Sequence, residues 1–214
     1  IKCPIAVFPL GFGNALAYCL GVETLEKCLE VLEKQPRVVS CDLFSTNIPK
    51  IPFAVFIAGI GFDARIVLMR MQDRYIGFRS YILSAIKSLF IHNKKRMLIT
   101  VDDCVTFDAV ASSLVVMNAP IIGKNYIIAE NARLNDGHMN CVLFSTKYAY
   151  ITNLRFRGFK HPLYTEENKV TFNAKKIKVS GETFVQIDGD PAIFQNDIEI
   201  GVVPNAISFL CNNE

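Results

Sequence analysis

Nine short runs rich in β-branched and aromatic residues follow Arg37, at 38–44, 53–58, 97–101, 113–117, 139–144, 170–172, 177–179, 184–187 and 198–203. Runs of this length punctuated by Gly, Pro, Asn and Asp predict many short strands. Single sheets of such strands leave an apolar face uncovered, so the expected closure is a β-sandwich with a few inserted helices. One helical segment is predicted at 79–90, where Ile82, Leu83, Ile86, Leu89 and Phe90 recur at helical spacing, and another around 149–157. The stretch 45–52, with Asn47, Pro49 and Pro52, reads as a loop.

Ahead of Arg37 the texture differs. Ile5-Ala6-Val7-Phe8 is a continuous apolar run ended by Pro9 and Gly11, as expected of a buried parallel strand that runs into a loop. A helix is expected to start at Asn14, with Asn14 as its N-cap. From Val22 to Lys34, Leu25, Cys28, Leu29 and Leu32 fall on one helical stripe while five charged residues face away, and Pro36 follows as a stop. Strand, loop, helix and helix in that order form the tail of an α/β domain. The predicted class is therefore α+β: residues 1–36 are the C-terminal part of an α/β domain, and 37–214 are a β-sandwich whose last strand returns toward the first domain.

Composition narrows the function. A net charge of +3 is too mild to argue for nucleic acid, and 51% hydrophobic content provides a core. No apolar run, 112–117 included, approaches the ~20 residues that a membrane span needs. Seven cysteines, at 3, 19, 28, 41, 104, 141 and 211, show no CxxC pairs and read mostly as buried thiols of a reducing cytosol, not zinc ligands or disulfides. His92, His138 and His161 lack metal-ligand spacing. Lys94-Lys95-Arg96 and the Arg155, Arg157, Lys160 group read as solvated surface or as contacts to an anionic leaflet. Leu83, Ile86, Leu89 and Phe90 read as core or as the lining of an acyl-chain tunnel.

Four segments carry chemistry, and each has a plain structural reading beside it. Gly11-Phe12-Gly13-Asn14 is a strand-to-helix turn whose backbone N–H groups could meet a phosphate. Gly59-Ile60-Gly61-Phe62-Asp63-Ala64 ends a buried strand and leads through a bulge into a helix. Asn135-Asp136-Gly137 is a competent hairpin turn. Asp188-Gly189-Asp190, followed by Pro191, is another turn.

In order and spacing these segments resemble the superfamily of diacylglycerol kinases, sphingosine (long-chain base) kinases and bacterial lipid kinases. The resemblance implies transfer of the ATP γ-phosphoryl group to a hydroxyl of a diacylglycerol or sphingoid base at a domain cleft. It makes 1–36 a remnant of the nucleotide-binding domain, because members carry a Gly-Gly-Asp-Gly-Thr phosphate loop upstream of the segment that begins here at Pro9. ATP would contact Gly11, Phe12, Gly13, Asn14, Asp188 and Gly189, and Asp190 would be the general base. Mg²⁺ would rest on Asp136 and the carbonyls of Arg133 and His138, and Asp63 would contact the polar head of the lipid.

Two positions depart from the family's pattern. Phe12 stands where a Thr or Ser hydroxyl is usual, and Asp190 stands where the base is a glutamate. They motivate a rival reading, a lipid-binding or regulatory protein on a degenerate kinase scaffold. A soluble nucleotide kinase is a weaker third. The expected setting is cytoplasmic and peripherally membrane-associated, with a lipid substrate, the membrane surface and a homodimer as partners and no nucleic acid.

Overall fold

A computed structural model describes residues 3–11, 13–34, 36–72, 78–123, 126–153, 155–156 and 167–212. In chain order the first elements are α1 (Ala15–Cys19), α2 (Leu25–Glu33), β1 (Arg37–Thr46), β2 (Phe53–Ala54), β3 (Ile57–Gly61), α3 (Phe62–Gln72) and α4 (Phe78–Ile91). They are followed by β4 (Lys95–Val101), β5 (Val105–Ala111), β6 (Ser113–Met117), β7 (Ile121–Ile122), β8 (Tyr126–Ile127), β9 (Met139–Phe144) and α5 (Lys147–Thr152). The last are β10 (Arg155–Phe156), β11 (Lys169–Ala174), β12 (Lys176–Ser180), β13 (Phe184–Ile187), β14 (Asp190–Ile193) and β15 (Ile198–Cys211).

Two six-stranded antiparallel sheets face each other, in the orders β2-β1-β15-β12-β4-β5 and β11-β9-β6-β3-β13-β14. Phe44, Met97, Ile99, Ile177 and Ile200 of the first sheet and Ile60, Leu114, Val116, Val185 and Ile187 of the second form the core between them. The expected β-sandwich is what forms. The second sheet is covered on its other face too, by α3, α5 and a small β10-β8-β7 sheet, around Phe62, Met117, Val142 and Phe144. That double burial explains why β3, β6 and β9 are apolar without alternation, whereas β12, with one face outward, alternates.

The N-terminal segment leans on the same body. Ile5 makes one parallel bridge with Phe209 of β15, and α1 and α2 bury Ala17, Leu20, Cys28 and Val31 against Cys41, Ile207 and Phe209. Four local expectations are corrected here. The run 5–8 is a single bridge with Phe8 exposed, because among the described residues no second strand flanks it. Leu25, Leu29 and Leu32 lie outward on α2, which buries Cys28 and Val31 instead. The run 53–58 is two strands, because the N–H groups of Val55, Phe56 and Ile57 bond the Asp188 carboxylate and leave the ladder. The helix expected to reach 157 stops at Thr152, and Arg155 and Phe156 pair with β8.

All seven cysteines are free, with Cys28, Cys41, Cys141 and Cys211 buried and Cys3 and Cys104 exposed. Burial pushes the Cys41 thiol up to about 12. Among the described residues no helix is long and apolar enough to cross a membrane.

Candidate functional site

A cavity of about 810 Å³ opens between the N-terminal segment with α1, the α3/α4 pair, and the ends of β3 and β13. Its walls are aliphatic, with Ile66, Val67, Ala85, Ile86, Leu89 and Ile122 among them. Polar groups gather at one pole, where Asp63, Tyr150, Gln186, Asp188 and Gly189 meet.

Asp63 begins α3 and is buried. Its carboxylate accepts the Tyr150 hydroxyl and, at 2.7 Å, the Gln186 amide Nε2–H. Burial raises its pKa above the usual 3.8, while those two bonds pull the other way. Tyr150 is held well above its ordinary value by burial and by the neighbouring Asp63 charge. Gly59 lies directly beneath: a Cβ there would stand 1.7 Å from Asp63 Oδ2 and 2.9 Å from Gln186 Nε2. The glycine is thus required by close approach of side chains to backbone, as the sequence indicated in kind.

Gln186 continues the chain of bonds, its Oε1 accepting the Gly189 N–H at 2.8 Å. Asp188 has φ 50° and turns its carboxylate back to accept from Val55, Phe56 and Ile57 N–H at 2.7, 3.0 and 2.9 Å. Although the residue as a whole is exposed, desolvation of its inward-turned carboxyl raises it too, against the lowering by three backbone donors. Asp190 opens β14 opposite Ile187, is exposed, and is outside the cavity lining.

Gly13 and Asn14 also line the cavity. Asn14 is not the expected side-chain cap. It adopts φ 48° and its Nδ2 donates to the Pro9 carbonyl at 2.8 Å, closing the 9–14 loop instead of accepting from the first turn of α1. Gly13 packs on Gly123, whose Cα would lie 3.1 Å from an added Cβ. Gly11 is exposed beside the lining, and Phe12 lies outside the described residues.

Asp136, Arg133 and His138 share one turn that does not line the cavity. Asp136 Oδ1 accepts the His138 N–H at 3.0 Å, and its carbonyl bonds His138 Nδ1 at 2.8 Å. The Arg133 guanidinium donates to the Ala132 carbonyl. Beneath them is Asp42, fully buried, whose two carboxylate oxygens accept Gly137 N–H and Asn205 N–H, each at 2.7 Å. Among the described residues, no three His, Cys, Asp or Glu side chains gather as a metal cluster. Of the other flagged groups, His92 is buried against the Ser112 carbonyl at 2.9 Å, Lys95 pairs with Glu182, and Arg96 pairs with Asp108. His161 and the side chains of Arg155, Arg157 and Lys160 lie outside the described residues.

Tyr150, Gln186 and Asp42 were missed by sequence reasoning. Gln186 and Asp42 each had a signal, a polar residue within an apolar strand. Tyr150 had none, since a tyrosine on a short helix is unremarked without its partner.

The YegS C-terminal NAD kinase beta sandwich-like domain matches residues 57–211. Among solved structures, a diacylglycerol kinase of Bacillus anthracis str. Sterne is similar at a TM-score of 0.71 and 17% identity, over 100% of this chain and 68% of that one. A protein of the same organism, provisionally assigned as a diacylglycerol kinase, reaches 0.76 at 19% identity, over 100% of this chain and 71% of its own. At these identities the likeness establishes the fold, a kinase-like scaffold. No curated protein matches.

Proposed function

The chain belongs to the family of the YegS C-terminal NAD kinase beta sandwich-like domain, and on that premise we propose that it carries the acceptor site of an ATP-dependent lipid kinase. The acceptor is a diacylglycerol or a sphingoid base. One observation carries the reading: an apolar cavity of about 810 Å³, within the size range of ligand sites, has the Asp63 and Gln186 side chains and the Asp188 turn gathered together in its lining. An acyl chain entering it gains ~0.8 kcal/mol per buried methylene, and the hydroxyl is left to settle where Asp63, Gln186 and the Asp188 turn converge.

Phosphoryl transfer depends mainly on positioning and charge neutralisation. Asp63 and Gln186 fix the acceptor's polar head, Asp188 braces the turn, and Asp190 takes the hydroxyl proton, directly at ~2.6–3.2 Å or through one water. ATP is the phosphoryl donor, meeting the 11–14 loop and the Asp188-Gly189 turn, whose Gly13, Asn14, Asp188 and Gly189 line the cavity. Mg²⁺ fits the exposed Asp136 carboxylate with the Arg133 and His138 carbonyls and water, a set of hard oxygen donors. The protein works at the cytoplasmic membrane surface where its substrate resides.

A lipid binder without turnover is the second reading, favoured by the place of Asp190 outside the cavity lining. Radiolabelled ATP, Mg²⁺ and micellar dioctanoylglycerol or sphingosine separate the two. Asp190→Asn is expected to lower turnover at least tenfold with melting unchanged. Equal turnover removes Asp190 as the base, and no turnover on either lipid, with binding retained, leaves the binder.

A further inference from the structure

Tyr81, near the start of α4, lines the cavity and is half-buried. Arg70, near the end of α3, donates its Nη1–H to the Tyr81 hydroxyl at 2.9 Å, and the same guanidinium lies over the ring at 4.3 Å from its centroid. The phenol oxygen is thereby an acceptor, and its own proton is left to donate. Among the described residues none takes that proton. A hydroxyl that accepts from a cation donates more strongly in turn, because the two bonds polarise each other. Other side-chain donors of the lining are already engaged: Tyr150 and Gln186 on Asp63, and Asn14 on the Pro9 carbonyl.

Position narrows what this donor can meet. Burial, then Asp63, then Tyr81 hold up the pKa of Tyr150, so the two phenols are neighbours at the polar end of the cavity. In the other direction Ala85 and Leu89, one and two turns on along α4, continue the aliphatic wall. Tyr81 thus marks the border between the groups that would hold a hydroxyl and the wall that an alkyl chain would follow. In an acylglycerol the ester carbonyl, an acceptor without a proton of its own, falls at that border. A sphingoid base has no carbonyl there and brings an ammonium, which the fixed Arg70 charge behind the phenol disfavours.

We propose that Tyr81 is a specificity-determining residue: its hydroxyl, held by Arg70, donates to an ester carbonyl of the acceptor lipid and commits the site to an acylglycerol over a sphingoid base. The inference rests on the lipid reading above and narrows its substrate class.

Calorimetry with monomeric dioctanoylglycerol, its diether analogue and a short-chain sphingosine tests it, on the parent and on Tyr81→Phe. That variant keeps the ring beneath Arg70 and removes only the hydroxyl. The parent is expected to bind the diester about tenfold more tightly than the diether, the usual contribution of one hydrogen bond, and more tightly than the sphingosine. In Tyr81→Phe the preference for the ester should vanish through weaker binding of the diester, with diether affinity unchanged. Three outcomes overturn the proposal and leave the acceptor-site reading standing. They are an ester-to-ether ratio near one in the parent, a variant that weakens all three ligands alike as a merely structural tie between α3 and α4 would, and a parent that prefers the sphingosine. A parent that binds none of the three removes the acceptor-site reading and this inference with it.

Discussion

Gln186 donates its amide N–H to the Asp63 carboxylate at 2.7 Å across 123 residues of sequence. Because the same side chain also accepts from Gly189 N–H, it ties the acid at the start of α3 to the turn that bears Asp188 and Asp190. Gln186→Met keeps the volume and removes both bonds. It should cost about 1–3 kcal/mol, the penalty of leaving buried polar groups unpaired. Lipid affinity should fall with it. Urea unfolding and calorimetry with dioctanoylglycerol check both, and parental values in each would show that the bridge is dispensable.

Gly59 leaves no space for a methyl group under Asp63. Gly59→Ala should force the carboxylate off Gln186 and Tyr150 and destabilise by about 1–3 kcal/mol, as overpacking of a dense core does. Gly189→Ala is the contrast: nothing lies within 4 Å of its added Cβ, so its cost comes only from φ 97°. If thermal melts leave Gly59→Ala at the parental midpoint, the close approach is absent in solution.

Stability should depend on pH through the two raised carboxyls. Asp63 and Asp188 bind a proton more tightly folded than unfolded, because burial raises both above 3.8. Their contribution is therefore fullest below the unfolded pKa, and it is lost as pH rises through the folded values. Asp63→Asn should flatten that decline. Urea unfolding from pH 4 to 8 measures it, and superimposable slopes in parent and variant would count against a raised Asp63.

Mg²⁺ should raise the melting temperature through Asp136 and lose that effect in Asp136→Ala or after chelation. An ion that binds only the folded state stabilises by ~2.7 kcal/mol when present at a hundredfold over its Kd. Asp42→Asn should weaken the same response without touching the ion, since Asp42 holds the turn at Gly137. An unchanged Mg²⁺ response in Asp136→Ala reduces this acid to a turn residue.

The legibility of the fold follows from where information about burial resides. Strands β6, β9 and β13 match their predicted bounds, because strands in a doubly covered sheet are continuous apolar runs. β5, at an edge, escaped notice since Thr106, Asp108 and Val110 point outward. The break between β2 and β3 is made by Asp188, more than 130 residues away, and no local pattern encodes it. Periodicity located α4 within a residue at each end. It has no sign, however, and the face taken for core or tunnel is partly the exterior of the molecule.

The site was legible to the extent that it consists of turns. Gly13, Asn14, Asp63, Asp188 and Gly189, drawn from three separate motifs, fall on one cavity. Asp190 and the Asp136 turn lie outside that lining. Tyr150 and Gln186 complete the polar pole only because tertiary packing brings α5 and β13 to the start of α3.

Strand β15 lies between β1 and β12, and Ser45 of β1 meets Gly201 of β15 156 residues later in the chain. A ribosome adding ~5–20 residues per second takes roughly 8–30 s to cover that distance. For that interval β1 leaves the exit tunnel with the edge meant for β15 open, and Ile5 has no Phe209 to bridge. The β1 edge is therefore open to wrong pairing throughout that interval, and β15 is the strand that ends the wait.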